Sequence, residues 1–349
     1  MADVAADRQE HFLGMNEEEE RFWKETAARV AVSSITHPLL TVKTLQQLGH
    51  EPFPLSTGRT LVFAGRNAYF LPNALSYAKQ LTQTNSAGYS VLMTGFESAA
   101  VSLIVGRCAA RWITKFIDEH YPEMGGKPEF EGKDERELDH HQSFRRTLRA
   151  IVRDSVIRTF AVFAARPFTV VCVRQIAQLI GGETKYVNVL AGIRFIGQEE
   201  GPAGLFSGLI PQLLGELITV WGIHTLTFAA ERALKHSGLD QPNADKDKER
   251  AEKDFMEARR LTQFAIPHIV ATFSYSFSVV STVMAVAGSG LAVSFLPYSP
   301  SFSHWQDAHD YLGATKALKR GARLFLREQT GAVSVGADRQ LYASNKHFA

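Results

Sequence analysis

The stretch LTQFAIPHIVATFSYSFSVVSTVMAVAGSGLAVSFLPYSPSFSHWQ, residues 261–306, contains no Asp, Glu, Lys or Arg. Its 46 residues are about twice the ~20 residues that cross the hydrocarbon core of a bilayer as a helix. Soluble domains rarely contain such a run, although 21% of the 349 residues of the whole chain are charged. The run therefore predicts an all-α membrane protein that crosses the bilayer several times.

A pattern of prolines and glycines recurs along the chain. Copies of the pattern begin at Pro38 and Pro167, and a weaker third copy centres on Ser276 and extends to Arg327. The same spacing of two glycines around a large apolar residue occurs twice, as Gly88, Met93 and Gly95 and as Gly201, Phe206 and Gly208. Only 22 residues, most of them polar, follow Arg327. The pattern thus predicts three degenerate repeats of two helices each, of which the last lacks its second spanning helix.

Hydropathy and helix-breaking residues place five long helices along the chain. We expect them at about 21–48, 90–116, 144–180, 209–234 and 256–287, followed by an amphipathic helix at about 305–326 that is too polar to span. The corresponding units are a disordered acidic N-terminus (1–20), repeat one (21–120), a loop (121–143), repeat two (144–238), a charged loop (239–255), truncated repeat three (256–327) and a C-terminal tail (328–349).

Composition excludes several classes of function. A formal net charge of +2, with basic residues scattered along helices, argues against nucleic acid as a partner. Cys108, Cys172, His224 and His268 lack the spacing of a metal or redox site, so we predict no metal and no cofactor. The sequence contains no phosphate loop, nucleophile elbow or paired carboxylates, which favours a protein that is not an enzyme. The acidic run 17–20 fits neither a secretory signal nor an Arg-rich presequence.

The repeat pattern resembles the mitochondrial carrier family, in which each repeat has a Pro-kinked helix, a short surface helix and a second spanning helix. Glu200, Gly201, four residues, Phe206, Ser207 and Gly208 match the acidic-Gly-x4-aromatic-basic-Gly element of that family, except at Ser207. The resemblance implies a carrier-like bundle that here lacks the sixth transmembrane helix.

Further stretches are similar to the divergent mitochondrial carrier homologs of the outer membrane. They are His37-Pro38-Leu39, Gly49-His50-Glu51-Pro52, Glu199-Glu200-Gly201, Gly208-Leu209-Ile210-Pro211, Leu213-Leu214-Gly215-Glu216 and Pro297-Tyr298-Ser299-Pro300. Arg166 replaces the His that precedes Pro38 in repeat one, and Ser276 stands where a third proline is expected. The resemblance implies a multi-pass protein of the mitochondrial outer membrane.

The ion-pair signature of the carriers is largely missing. Lys43 and Arg174 keep its basic positions, whereas Leu40, Thr169 and Ser278 occupy the three acidic positions. The gating network of a solute carrier therefore cannot form, and a five-helix bundle cannot close around a substrate. Solute transport remains an alternative function. Uptake of a defined metabolite into sealed vesicles that contain the protein would support it.

Ionisable side chains inside the predicted spans are the candidate functional residues, because a charge at the bilayer centre costs about 2.5–3.5 kcal/mol on insertion scales. We predict a client-binding groove formed by Lys43, Gln212, Glu216, Tyr275, Ser278 and Thr282. Second-rank intramembrane polar residues are Glu97, Arg107, Asp154, Arg158 and Arg166. Asp154 and Arg158 are one turn apart and are expected to pair along their own helix. The serines can equally well hydrogen-bond within the bundle, as small polar residues ordinarily do.

The resemblance implies a membrane protein insertase whose clients are α-helical, tail-anchored outer-membrane proteins. A laterally open polar groove would lower the barrier for a client's polar flank, and it could also pass lipid headgroups, so lipid scrambling is a plausible accompanying activity. Basic residues between Lys316 and Arg327 could contact anionic lipids or simply be solvated. A third alternative is a docking receptor for apoptotic or metabolic proteins.

Overall fold

A computed structural model describes residues 16–60, 65–127, 138–237, 248–295 and 302–343. The helices are α1 (Glu17–Gln47), α2 (Ala74–Thr84), α3 (Phe96–His120), α4 (His140–Gly181), α5 (Val189–Glu199), α6 (Gly201–Leu205), α7 (Leu209–His236), α8 (Lys248–Val286), α9 (Ala292–Phe295) and α10 (Trp305–Ala314). The strands are β1 (Ser56–Arg59), β2 (Asn67–Phe70), β3 (Glu328–Gln329), β4 (Val333–Val335) and β5 (Leu341–Ala343). A 3-10 helix at Gly88–Met93 precedes α3. The mostly helical fold and its five long helices are confirmed.

Four of the helical segments are long and apolar enough to cross a membrane. They are Gly88–His120, His140–Gly181, Gly201–His236 and Phe255–Val286, as judged within the described part of the chain. Helix α1 has 31 residues, enough to span, but four Glu residues in its first turn and the basic residues Lys24 and Arg29 lower its hydropathy. The chain is therefore a multi-pass membrane protein, with α1 as its most polar long helix.

The N-terminal boundary of α1 differs from the prediction. The helix begins at Glu17 and not near Arg21, and Asn16 occupies the N-cap position in an extended conformation. Acidic side chains in the first turn interact favourably with the positive end of the helix dipole, so the run Glu17 to Glu20 starts a helix and does not continue a disordered tail. The remainder of the predicted disordered segment, residues 1–15, lies outside the described residues.

The segment between α1 and α2, here called the connector, and the predicted C-terminal tail contain strands that the sequence analysis missed. Strands β1 and β2 are antiparallel, and the two-residue strand β3 adds to the other edge of β2. Strands β4 and β5 form a separate antiparallel pair. The tail is therefore ordered between residues 328 and 343 because backbone hydrogen bonds tie it to the connector.

The terminal amphipathic helix is shorter than predicted. Helix α10 ends at Ala314, and Lys316 adopts a left-handed conformation with a φ of 56°, which ends the helical path. Helix α10 packs on α8 through Ala308 and Leu312, which contact a cluster around Val279. The predicted Pro-Tyr-Ser-Pro break between these helices, residues 297–300, lies outside the described residues.

Helix α8 packs closely against α7 because α7 carries glycines at the contact. A Cβ atom at Gly222 would lie 2.8 Å from Val270 Cγ1, and one at Gly215 would lie 3.3 Å from Phe277 Cβ. Small residues allow membrane helices to approach in this way. The sequence therefore specifies a tight α7–α8 contact, whereas the hydrogen bonds and ring contact described between α8 and α1 involve Lys43 and Gln47, near the C-terminal end of α1.

Candidate functional site: a polar groove open on one side

All six predicted groove residues line one cavity of about 290 Å³, which we call the inner cavity. Its lining includes Lys43 from α1, Gln212 and Glu216 from α7, and three residues of α8, Tyr275, Ser278 and Thr282. Helix α4 contributes Arg166 and Thr169. The polar faces of α7 and α8, which the sequence left unoriented, thus face the same space.

A larger depression of about 1190 Å³, here called the outer groove, adjoins the inner cavity. It lies between α1, α3, α4 and α7, and it shares Thr169, Gln212, Glu216 and Thr219 with the inner cavity. Two second-rank residues on its lining, Asp154 and Arg158, extend the polar wall along α4. The two spaces therefore adjoin through four shared polar side chains, set among a largely apolar lining.

The predicted pairing of Asp154 with Arg158 is wrong, because each side chain reaches across to α7. Arg158 Nη2 lies 2.8 Å from Glu216 Oε2, and Asp154 Oδ2 lies 2.8 Å from His224 Nε2. Cross-helix partners lie directly opposite on α7, so the two side chains bridge the helices of repeat two. Glu216 is therefore a paired carboxylate. His224 contacts the Asp154 carboxylate, although its spacing in the sequence gave no sign of such a partner.

Arg166 is the most buried cation at the site, with only 2% of its surface exposed. Its Nε donates to the Ser207 carbonyl over 2.9 Å, and Nη1 donates to Ser281 Oγ over 2.9 Å and to Gln212 Oε1. All these acceptors are neutral. Arg166 therefore joins α4, α7 and α8 beside the inner cavity without a carboxylate partner among the described residues.

Lys43 is the other cation that faces the inner cavity. Its Nζ lies 5.1 Å from the centre of the Tyr275 ring, a cation–π distance. Within the described ranges no carboxylate lies within salt-bridge distance of this ammonium group. By contrast, the corresponding cation of repeat two, Arg174, is fully buried and pairs with both carboxylate oxygens of Glu200.

Two second-rank residues have other surroundings. Glu97 is exposed in the first turn of α3 and lies beside Arg194 of α5, away from both spaces. Arg107 lines the outer groove, where its Nε donates to Thr26 Oγ1 over 3.0 Å and its guanidinium lies 5.3 Å from the Phe22 ring centre. Arg107 thus fastens α3 to α1.

The gap between α1 and α8 is closed at one end, which we call the closed end. Gln47 Nε2 donates to Tyr275 OH over 3.3 Å, and Thr282 Oγ1 donates to Gln47 Oε1 over 3.0 Å. Tyr275 OH donates in turn to the Arg320 carbonyl over 2.6 Å. The segment after α10 therefore covers this end, where a Cβ at Gly321 would lie 3.2 Å from the Lys43 carbonyl.

A buried ion pair anchors that segment at the closed end. Arg327 Nη1 lies 3.2 Å from Glu51 Oε2, its Nη2 contacts the other carboxylate oxygen, and both side chains are buried. Burial raises the pKa of Glu51, whereas the Arg327 charge opposes that rise. Burial also lowers the pKa of the neighbouring His50 to about 4.

The opposite end of the gap, here called the open end, exposes apolar side chains on both helices. On α1, Val32 and Ile35 are 60% and 78% exposed. On α8, Leu261 and Phe264 are likewise exposed. Val32 and its neighbours Ser33 and Thr36 also line the outer groove, so the polar interior reaches the edge of the bundle here.

Sequence reasoning missed several groove residues. Arg29 and Ser102 line the outer groove, and His224 completes its wall through Asp154. Arg29 lies seven residues before Thr36, two turns apart on one face of α1, and this spacing could have indicated a shared surface. Among the described residues, no cluster of three metal-ligating side chains is found.

Comparison with known proteins gives consistent similarities. The family described as "Mitochondrial carrier protein" matches residues 148–236, which contain α7 and most of α4. "Mitochondrial carrier homolog 2" of Mus musculus is 30% identical over 294 residues, covering 84% of this chain and 90% of the relative, and the Homo sapiens protein of that name gives the same values. "Mitochondrial carrier homolog 1" of Mus musculus is 30% identical over 306 residues, covering 86% of this chain and 75% of the relative.

Proposed function

This chain belongs to the mitochondrial carrier homologs, divergent members of the mitochondrial carrier family, and from that premise we propose that it is a membrane protein insertase. In this proposal, it inserts α-helical proteins, tail-anchored proteins among them, into the mitochondrial outer membrane. The client enters along the outer groove and leaves into lipid through the open end between α1 and α8. The observation that carries the proposal is that the outer groove reaches exposed residues of α1, Val32 and Thr36, while its inner wall carries Gln212 and Glu216.

The groove matches the physical problem that an insertase solves. A client with one apolar helix must carry a short polar flank through hydrocarbon. Each polar group of that flank that lacks a hydrogen-bonding partner costs roughly several kcal/mol. Gln212, Thr219 and the Arg158–Glu216 pair offer that flank hydrogen-bonding partners along the bundle interior. Burial of the client's apolar helix in lipid then drives the step without a nucleotide or a cofactor.

The open end suits the exit of an apolar helix. Val32 and Ile35 on α1 and Phe264 on α8 present exposed apolar surface at this end, and Val32 also lines the outer groove. A client helix that leaves the groove meets these side chains before it meets lipid. Its polar flank remains beside α4 and α7 while its apolar part is already in hydrocarbon.

A reconstituted insertion assay tests the proposal. Purified protein in liposomes is expected to raise the yield of membrane-inserted tail-anchored client, and Glu216→Arg is expected to lower that yield because it places two like charges on the groove wall. The double variant Arg158→Glu with Glu216→Arg restores an ion pair of opposite direction and is expected to recover part of the yield. Lys43→Glu changes the charge at the inner cavity and is expected to alter client preference.

The matched control is the Arg259–Glu231 pair, which joins α8 to α7 over 2.7 Å and does not line either space. Glu231→Arg disturbs a similar cross-helix pair outside the groove, so insertion should stay near the wild-type level. If Glu216→Arg and Lys43→Glu both insert clients as well as the wild type while remaining folded, the groove does not carry the client. Equal losses in Glu231→Arg and Glu216→Arg would also count against it, since a general packing defect would then explain both.

Lipid scrambling along the same wall is a second candidate activity. Thr36 on α1 and Glu216 on α7 line the same outer groove, along which a headgroup could move while its tails stay in lipid. Fluorescent-lipid exchange between leaflets of protein-containing vesicles measures it. If lipid headgroups move along the outer groove, Glu216→Arg should slow lipid exchange. An unchanged rate would show that the groove does not carry the headgroups.

A further inference from the structure

Two cations of the inner cavity lack a neutralising partner within the described structure. The Lys43 ammonium group contacts the Tyr275 ring, and the Arg166 guanidinium donates only to neutral carbonyl, amide and hydroxyl groups. The carboxylate that lines the cavity, Glu216, already pairs with Arg158. The cavity therefore has an excess of positive charge, which attracts an anion in surroundings of low dielectric constant.

We propose that the inner cavity binds a phosphate group, supplied either by a phospholipid headgroup or by free phosphate. Lys43 contacts the phosphate oxygens directly, and Arg166, whose donors are already occupied, contributes its positive charge from the cavity wall. The proposal does not depend on insertion of clients, because it concerns the occupant of the closed end of the groove.

The donors around Lys43 suit a tetrahedral oxyanion with several acceptors. An ammonium group offers three hydrogens. Ser278 Oγ accepts from Gln47 Nε2 over 3.4 Å and keeps its own proton available to donate. Ser274 also lines the cavity, and no hydrogen bond of its hydroxyl is found in the described part of the chain. These side chains bring donors from α1 and α8 to the same space that Arg166 lines.

The size of the cavity and the route to it fit both sources of phosphate. Its volume of about 290 Å³ equals that of roughly ten water molecules at ~30 Å³ each, which accommodates a phosphate with part of a headgroup or with water. Gln212 and Glu216 connect the cavity to the outer groove and so to the open end. A lipid can therefore place its phosphate at Lys43 while its tails extend toward the open end.

The first experiment tests free phosphate on the purified full-length protein in a detergent that carries no phosphate. Titration with inorganic phosphate against chloride at matched ionic strength is expected to raise the Tm of the wild type. In Lys43→Met the apparent affinity should fall by about 10- to 100-fold, the loss that removal of a charged hydrogen-bond donor produces. Lys43→Arg should retain binding, and Lys115→Met, on the exposed surface of α3, is the control for general charge effects.

The second experiment tests the lipid source by native mass spectrometry of protein extracted from vesicles of phosphatidylglycerol or of a phosphate-free galactolipid. Retention of phosphatidylglycerol but not galactolipid by the wild type, with loss in Lys43→Met, assigns the site to a headgroup. A Tm shift without lipid retention assigns it to free phosphate. The proposal is overturned if neither probe binds, or if folded Lys43→Met binds both as well as the wild type and Lys115→Met do.

Discussion

The closed end and the open end of the gap are formed by the same two helices, yet they differ in every physical respect. At the closed end, Gln47 of α1 hydrogen-bonds to Tyr275 and Thr282 of α8, and the segment around Arg320 covers the contact. At the open end, Val32 and Ile35 on α1 and Leu261 and Phe264 on α8 are exposed instead of packed against each other. In the described part of the chain the C-terminal segment therefore covers the closed end and leaves the side chains of the open end exposed.

The two ends also differ in how they are held together. The C-terminal segment, with its Arg327–Glu51 pair and its strand on β2, fastens the closed end without crossing the membrane. We therefore expect stability to depend more on the closed end than on the open end, whose apolar side chains are exposed. Variants at the two ends should consequently separate effects on folding from effects on activity.

The largest effect is expected where the closed end depends on a buried charge. Arg327→Met leaves the Glu51 carboxylate buried without its cation, and breaking a buried pair in this way costs about 3–5 kcal/mol. The free energy of unfolding in detergent, measured by chemical denaturation, should fall by that amount. The same experiment reports whether the C-terminal segment stabilises the bundle as a whole.

A matched control for Arg327→Met lies in the adjoining sheet. Arg66 pairs with Glu328 over 2.7 Å, but the Arg66 side chain is largely exposed. Arg66→Met should therefore cost at most about 1 kcal/mol, as exposed pairs do. Similar losses for the two variants would mean that the closed end is not the stabilising part of the molecule.

A smaller effect is expected from pH. Burial lowers the pKa of His50 from 6.5 to about 4. Below pH 6.5 the His50 side chain therefore stays neutral in the folded protein, whereas it binds a proton in the unfolded protein. The unfolded state thus binds more protons between these values, and stability falls as the pH falls through that window. Acidification from about pH 7 to about pH 5 should cost the wild type about 2 kcal/mol through this group.

His50→Gln removes that titration and serves as the comparison. Denaturation curves at both pH values should show a smaller pH dependence for the variant by about 2 kcal/mol. An identical dependence in both proteins would show that His50 is solvated at the closed end. That result would also weaken the assignment of this end as the tightly packed one.

The sequence predicted the parts of the fold that depend on local patterns. The uncharged run of α8 and the glycines that begin α7 reflect hydropathy and backbone geometry, which are written in neighbouring residues. The strands β2 and β3 were not predictable in this way. They pair residues 69 and 329, and such a contact depends on how distant segments meet and not on their own composition.

In the candidate site, too, local spacing was predictable from the sequence and contacts between distant helices were not. The spacing of Gln212 and Glu216 correctly placed them on one face of α7, because positions four apart share a helix face. The partner of Arg158 was wrong because a residue one turn away, Asp154, offered an equally good pair on paper. The choice between them depends on the rotation of α4 relative to α7, which a single sequence does not contain.

The smallest effect on stability is expected at the open end. Ile35→Ala removes a side chain that is 78% exposed, so the free energy of unfolding in detergent should change by no more than about 0.5 kcal/mol. The matched control is Leu45→Ala, about three turns further along α1, where the Leu45 side chain is fully buried at the closed end. This substitution should lower the free energy of unfolding by about 2–5 kcal/mol. Since Ile35 lies where a client would leave, the Ile35→Ala protein should be as stable as the wild type yet insert clients less well. A loss of stability comparable to that of Leu45→Ala would show that another part of the chain packs on α1 there, and the lateral opening would then be absent.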